Sequence, residues 1–77
     1  MKEVLEYIAR AMVDDPDAVE VVEGTGDRGG VLLTLRVGPE DMGRVIGRGG
    51  RTARAIRTVV KAAAIKADAR VHVEIAD

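Results

Sequence analysis

Three glycines, Gly47, Gly49 and Gly50, fall within four residues of the stretch VIGRGGRTARAIRTVV, Val45 to Val60. Glycine adopts positive φ readily and is a poor helix former. A knot of three therefore separates the chain on either side into two elements joined by a sharp turn. The segment before it, Pro39 to about Ile46, opens on a proline followed by Glu40 and Asp41, which suits a helix N-terminus. Met42, Val45 and Ile46 form its apolar side. The segment after it, about Gly50 to Lys66, repeats at helical spacing. Ala53, Ile56, Val59, Val60, Ala63 and Ala64 share one side, and Arg51, Arg54, Arg57 and Lys61 share the other. The pattern predicts helix, glycine turn, helix, with an aliphatic back and a cationic front.

The flanking sequence supplies a sheet for these helices to cover. Lys2 to Val13 carries Val4, Leu5, Ile8 and Met12 on one helical stripe, and the DDPD that follows ends it, because a residue before proline leaves the helical region. Val19 to Glu23 reads as a short strand, Gly24 to Gly30 as a turn, and Val31 to Val37 as an alternating strand with Val31, Leu33, Leu35 and Val37 on one face. Val71, Val73 and Ile75 alternate in the same way at the C-terminus. The first two strands form an antiparallel hairpin. The last two flank a helical crossover, so they pair in parallel and the Val31–Val37 strand is central. The predicted fold class is α+β, in the order α-β-β-α-α-β. A three-stranded mixed sheet carries three helices on one face, as a two-layer sandwich. Residues 1–77 suffice for one domain. With no cysteine and Tyr7 as the sole aromatic residue, its core must be aliphatic.

The net charge of −1 conceals a strong polarity. From Met42 to Ala67 there are seven basic residues, Arg44, Arg48, Arg51, Arg54, Arg57, Lys61 and Lys66, and no Asp or Glu. The rest of the chain holds the other five of twelve basic residues and all thirteen acidic ones, so the two parts carry +7 and −8. Such a division suits an anionic partner. Little else carries chemistry. His72 stands alone on the outward parity of its strand, and no nucleophile–base pair accompanies it. Asp14, Asp15 and Asp17 lack calcium-loop spacing, and no histidine or cysteine cluster could hold a transition metal. The sequence predicts neither an enzyme nor a bound cofactor. It has no apolar run of membrane-spanning length and no secretory leader, so a cytoplasmic location is expected.

A plain turn needs one positive φ, which Gly47 could supply. Two further glycines suggest that a ligand backbone approaches the turn, where the amides of the next helix favour an anion. Arg48 at the tip, with Arg51 and Arg54 behind it, points to phosphate. The Walker pattern does not fit, since its lysine is missing and the knot joins two helices rather than strand to helix. A DNA-reading helix pair remains an alternative, although the three-stranded sheet is not expected of it.

VIGRGGRTARAI resembles the signature of the KH domain, whose helix–GXXG–helix unit clamps about four nucleotides of single-stranded nucleic acid. Ile46-Gly47-Arg48-Gly49-Gly50 matches its I-G-x-x-G element, and Ala53 and Ile56 match the small or apolar positions after it. A helix and strand ahead of that unit resemble the type II arrangement. The text as a whole is similar to small single-domain bacterial KH proteins of the KhpA type. Gly49 departs from the pattern, since the variable loop positions are often polar.

The resemblance implies a site at loop 47–50 made of Ile46, Gly47, Arg48, Gly49, Gly50, Arg51 and Arg54, with Arg44, Val45 and Arg57 beside it. Phosphates would lie along the loop, and bases would turn inward to meet aliphatic side chains such as Val45. It further implies single-stranded RNA as partner and a role in post-transcriptional regulation or RNA chaperoning. Association with a second, larger KH-containing RNA-binding protein and with a second copy of the chain is also implied. A protein-interaction module using the same helix–loop–helix surface is the alternative.

Overall fold

The computed structural model describes residues 1–76. Helix α1 spans Lys2–Met12, strand β1 Glu20–Thr25, β2 Val31–Arg36, α2 Met42–Ile46, α3 Arg51–Lys66 and β3 Val71–Ala76. Single turns of 3₁₀ helix lie at Pro16–Ala18, Pro39–Asp41 and Arg48–Gly50. The order is the α-β-β-α-α-β read from the sequence, and the sheet is mixed, in the order β1-β2-β3.

Strand β2 pairs antiparallel with β1, Val21 opposite Leu35, and parallel with β3, Leu33 opposite Val73. A parallel pair needs a long crossover, and α2 and α3 supply it. The hairpin is tighter than its sequence suggests. Gly24 and Thr25 belong to β1 and pair with Leu32 and Val31. The turn itself is Gly26–Gly30, closed by the Gly26 amide on the Gly30 carbonyl at 2.7 Å.

Alternation along the strands sends Val21, Leu33, Leu35, Val71 and Val73 to the covered face and leaves Glu20, Val22, Arg36, His72 and Glu74 exposed on the other. α1 packs on β1, α3 on β3, and α2 against α3. Leu5, Leu33, Leu35, Val45, Val60 and Val73 are the largest fully buried side chains. Each contributes about 1.5–3 kcal/mol by leaving water, and together they hold α2 and α3 on the sheet. The buried line of α3 is Ala53, Ile56, Val60 and Ala64. Val59, assigned to that aliphatic back by its position in the sequence, is 50% exposed. It lies about 100° around the helix from Val60, past the limit of the covered stripe.

One polar group enters the interior. Asp41, 3% exposed, ends the 3₁₀ turn before α2. Its carboxylate accepts the amides of Asp14 and Asp15 at 3.1 and 3.2 Å. This ties the corner after α1 to the start of α2 and so helps to set the direction in which α2 leads into the glycine loop.

Candidate nucleic-acid interface

Helix α2 stops at Gly47, whose φ of 74° and ψ of 169° end the helical path while its amide still reaches the Gly43 carbonyl at 2.9 Å. A side chain here would be strained by the positive φ. It would also collide with Thr52, whose Cβ and amide nitrogen lie 2.8 and 2.9 Å from where a Cβ would stand. Gly49 and Gly50 also have positive φ, 65° and 78°. This corrects the sequence argument. The three glycines each have a backbone reason, so their number alone does not point to a ligand.

The case for an anion rests on what surrounds the loop. Gly50 caps α3 and has no side chain, so no side chain satisfies the first-turn amides of that helix. Those amides carry the positive end of the helix dipole. Arg48 and Arg51 are exposed. Among the described residues neither makes a side-chain hydrogen bond or an ion pair. The Arg51 amide donates to the Arg48 carbonyl, so two unpaired guanidinium groups stand beside a helix end that lacks only a side-chain cap.

The remaining expected residues divide by what already holds them. Arg54 donates from Nη1 to the Gly49 carbonyl at 3.1 Å and braces the loop. Arg57, half-buried, donates from Nε to the Val73 carbonyl at 3.0 Å, at the edge of β3 that has no strand partner. Arg44 is drawn away by acids: its Nη2 lies 3.0 Å from Asp14 Oδ2 and its Nε 3.7 Å from Asp41 Oδ1. It is the member of the set least free to meet a phosphate. Val45 is 0% exposed and belongs to the core, which corrects its assignment as a base contact. Ile46, 38% exposed, is the aliphatic side chain beside the loop.

The candidate site is therefore a loop tip with two free arginines, braced from behind by Arg54, with Arg57 further along α3 against the outer edge of β3. A concavity of about 620 Å³ lies at the other end of α3, where Arg28, Lys61, Arg70 and His72 are interleaved with Asp27 and Glu74. Its mixed charge does not favour an anion. Nor does the hollow beside Asp14, Asp15 and Glu40. His72 is exposed on the outer face of the sheet, 3.9 Å from Glu74, away from the loop. Among the described residues no group of acidic or histidine side chains could hold a metal, and no helix is long and apolar enough to cross a membrane.

A helix–glycine loop–helix unit behind a helix and a β-hairpin, on a three-stranded mixed sheet, defines a KH domain of type II topology. The chain belongs to the KhpA/KhpB KH-domain family, whose sequence profile matches residues 2–75. It is 59% identical over 75 residues to the RNA-binding protein KhpA of Clostridium acetobutylicum, covering 97% of this chain and 99% of that one. It is 51% identical over 77 residues to the protein of the same name from Halalkalibacterium halodurans, covering 100% of both. The KhpA of Treponema pallidum is 47% identical over 76 residues, covering 99% of this chain and 94% of that one. The fold also matches part of a solved structure, Era in complex with MgGDPNP and nucleotides 1506–1542 of 16S ribosomal RNA, with a TM-score of 0.62 at 16% identity. That match covers 96% of this chain and 28% of the Era chain, so it is a likeness of fold to one part of a larger protein.

Sequence reasoning missed Asp41 and Thr52. Asp41 was legible only as an acid near a helix start. Its partners lie 26 and 27 residues away, at positions that no local pattern indicates.

Proposed function

We propose that this chain binds single-stranded RNA, with phosphates on the Gly47–Gly50 loop and bases turned toward α3 and the outer edge of β3. The observation that carries this reading is the pair of exposed, unpaired arginines, Arg48 and Arg51, beside the N-terminus of α3, which no side chain caps. The relatives named RNA-binding protein KhpA support it. A clamp of about four nucleotides follows from the family likeness. With no ring to stack on, bases meet Ile46, main-chain edges and arginine planes, so affinity is modest. The natural setting is the cytoplasm, in regulation or chaperoning of transcripts. The test is fluorescence anisotropy of a labelled oligoribonucleotide across a salt series. Binding through two to four phosphates gives a log–log slope of about −1.4 to −2.8, at ~0.7 per contact. Binding indifferent to salt, or a preference for duplex, contradicts the reading.

A second role is favoured by an apolar surface. Ala55, Val59, Ala62 and Ile65 are exposed on α3, Val59 at 50% and Ile65 at 77%. Ala55, Val59 and Ala62 lie about 80–140° around the helix from Arg54, and Ile65 lies on the Arg54 side about three turns further along. This stripe continues the Arg51 line away from the loop and suits a second copy of the chain, or a larger KH-containing RNA-binding protein. Sedimentation of the native chain and of Val59→Asp tests it. A dimer that the substitution dissociates supports the role; a monomer at all concentrations, with no such partner retained, contradicts it.

A further inference from the structure

We propose that Arg57 is the specificity-determining residue of the groove and that it selects guanine; this rests on the RNA-binding reading above. Arg57 differs from the other arginines of the stripe in being half-buried and anchored by its Nε rather than by its tip.

The anchor is the Val73 carbonyl. Strand β3 has β2 on one side only. The Arg70 carbonyl accepts the Val31 amide, so even-numbered residues of β3 direct their main chain toward β2. Odd-numbered residues direct theirs to the open edge by alternation. Val73 therefore directs its carbonyl and amide to that side rather than toward β2, and Arg57 takes the carbonyl. With Nε occupied, the guanidinium plane is fixed, and the Nη1–Nη2 fork makes no hydrogen bond among the described residues. Val73 itself is fully buried, so Arg57 covers this point of the edge.

The placement suits a base rather than a phosphate. Arg57 lies seven residues along from Gly50, roughly 10 Å of helix rise, which is about the reach of one nucleotide from a phosphate on the loop to the edge of its base. A fixed planar fork offers two parallel donors, and guanine offers two adjacent acceptors, O6 and N7. Adenine places its N6 amino donor where O6 stands in guanine, so a donor would face a donor. In a single strand these edges are open to contact. Arg48 and Arg51, unpaired and exposed at the tip, then contribute affinity without reading sequence, as phosphate contacts do.

The experiment compares two labelled uridine tracts, one carrying a single guanosine and the other a single adenosine at the same position. Anisotropy is measured for the native chain, Arg57→Lys and Arg57→Gln, with circular dichroism as the check on folding. Lysine keeps the charge but loses the fork. Glutamine keeps an amide donor for Val73 and loses both charge and fork. The native chain is expected to prefer guanosine by about tenfold or more, the scale of one bidentate contact. Both variants are expected to bind the two tracts nearly equally, and Arg57→Lys to keep the native salt slope. Equal binding of the two tracts by the native chain overturns the assignment. So does guanosine preference surviving in either variant. So does a uniform loss in Arg57→Gln with an unchanged base preference and a slope shallower by about 0.7, which marks a phosphate contact. Native protein that binds neither tract at any salt overturns the RNA-binding reading itself, and Arg57 with it.

Discussion

The Arg54 guanidinium lies 3.1 Å from the Gly49 carbonyl, so the first full turn of α3 holds the tip of the glycine loop from behind. Arg51, one turn earlier, makes no such contact. Two arginines that look equivalent in sequence therefore do different work. Arg51→Ala is expected to shift the RNA-binding salt slope by about 0.7, the loss of one phosphate contact to a single strand, and to leave the loop in place. Arg54→Ala is expected to weaken binding further at every salt concentration, because the loop loses its brace as well as a charge. Amide exchange at Gly49 and Gly50 should quicken in Arg54→Ala and not in Arg51→Ala. Equal losses in the two variants, and in Lys61→Ala, would indicate a diffuse cationic surface in place of an ordered loop.

Asp41 accepts two main-chain amides while nearly excluded from water. Asp41→Ala leaves both amides without that partner and removes one of the two acids beside Arg44. A loss of roughly 2 kcal/mol is expected, which for a domain of this size lowers Tm by about 8–16 °C. Thermal melting followed by circular dichroism measures it. A Tm within about 2 °C of the native value, well below the shift that even 1 kcal/mol produces, would show that the amides find water at no cost.

Val45 is a core residue while Ile46 stands exposed beside the loop as expected of a site residue, and substitution separates them. Val45→Ala removes two methyl groups from the packed core and is expected to cost about 1–3 kcal/mol. Ile46→Ala alters an exposed side chain, so it should leave stability within about 0.5 kcal/mol while lowering RNA affinity several-fold. Urea denaturation and anisotropy together decide. Stability loss at Ile46 with none at Val45 would reverse the assignment.

The reason Val45 was misplaced shows where sequence reading stops. In β2 and β3 the period of two recurs through Val31–Val37 and Val71–Ile75, and in α3 the period of 3.6 recurs through four turns. Their buried faces were legible, apart from Val59 at the margin. α2 has five residues. One and a half turns contain too few repeats to tell which of two adjacent apolar residues faces inward. The positive φ of Gly49 and Gly50 was invisible for a different reason: composition shows that glycine permits such angles, not that the turn uses them. The Arg44–Asp14 ion pair joins residues 30 apart, and only the assembled corner brings them together. What the sequence offered for the site was its position and its charge; which arginines are free and which are held depended on tertiary contacts.

The loop is tested most directly by Arg48→Asp combined with Gly49→Asp, measured as RNA affinity by anisotropy alongside thermal melting. Gly47 and Gly50 stay, so the turn keeps the glycine that Thr52 crowds and the one that caps α3. No atom outside its chain neighbours lies within 4 Å of where a Cβ at Gly49 would stand, so the side chain has room. The φ of 65° and ψ of 17° at Gly49 lie in the left-handed region that aspartate tolerates better than most residues. One positive charge is lost and two negative charges appear where phosphates are proposed to lie. The expected result is a native-like circular dichroism spectrum and a Tm within several degrees of the parent, with RNA affinity down by about tenfold to a hundredfold, on the order of 1–3 kcal/mol. A folded double variant that binds RNA as tightly as the parent would contradict phosphate contact at this loop and leave Gly47–Gly50 as a turn between two helices.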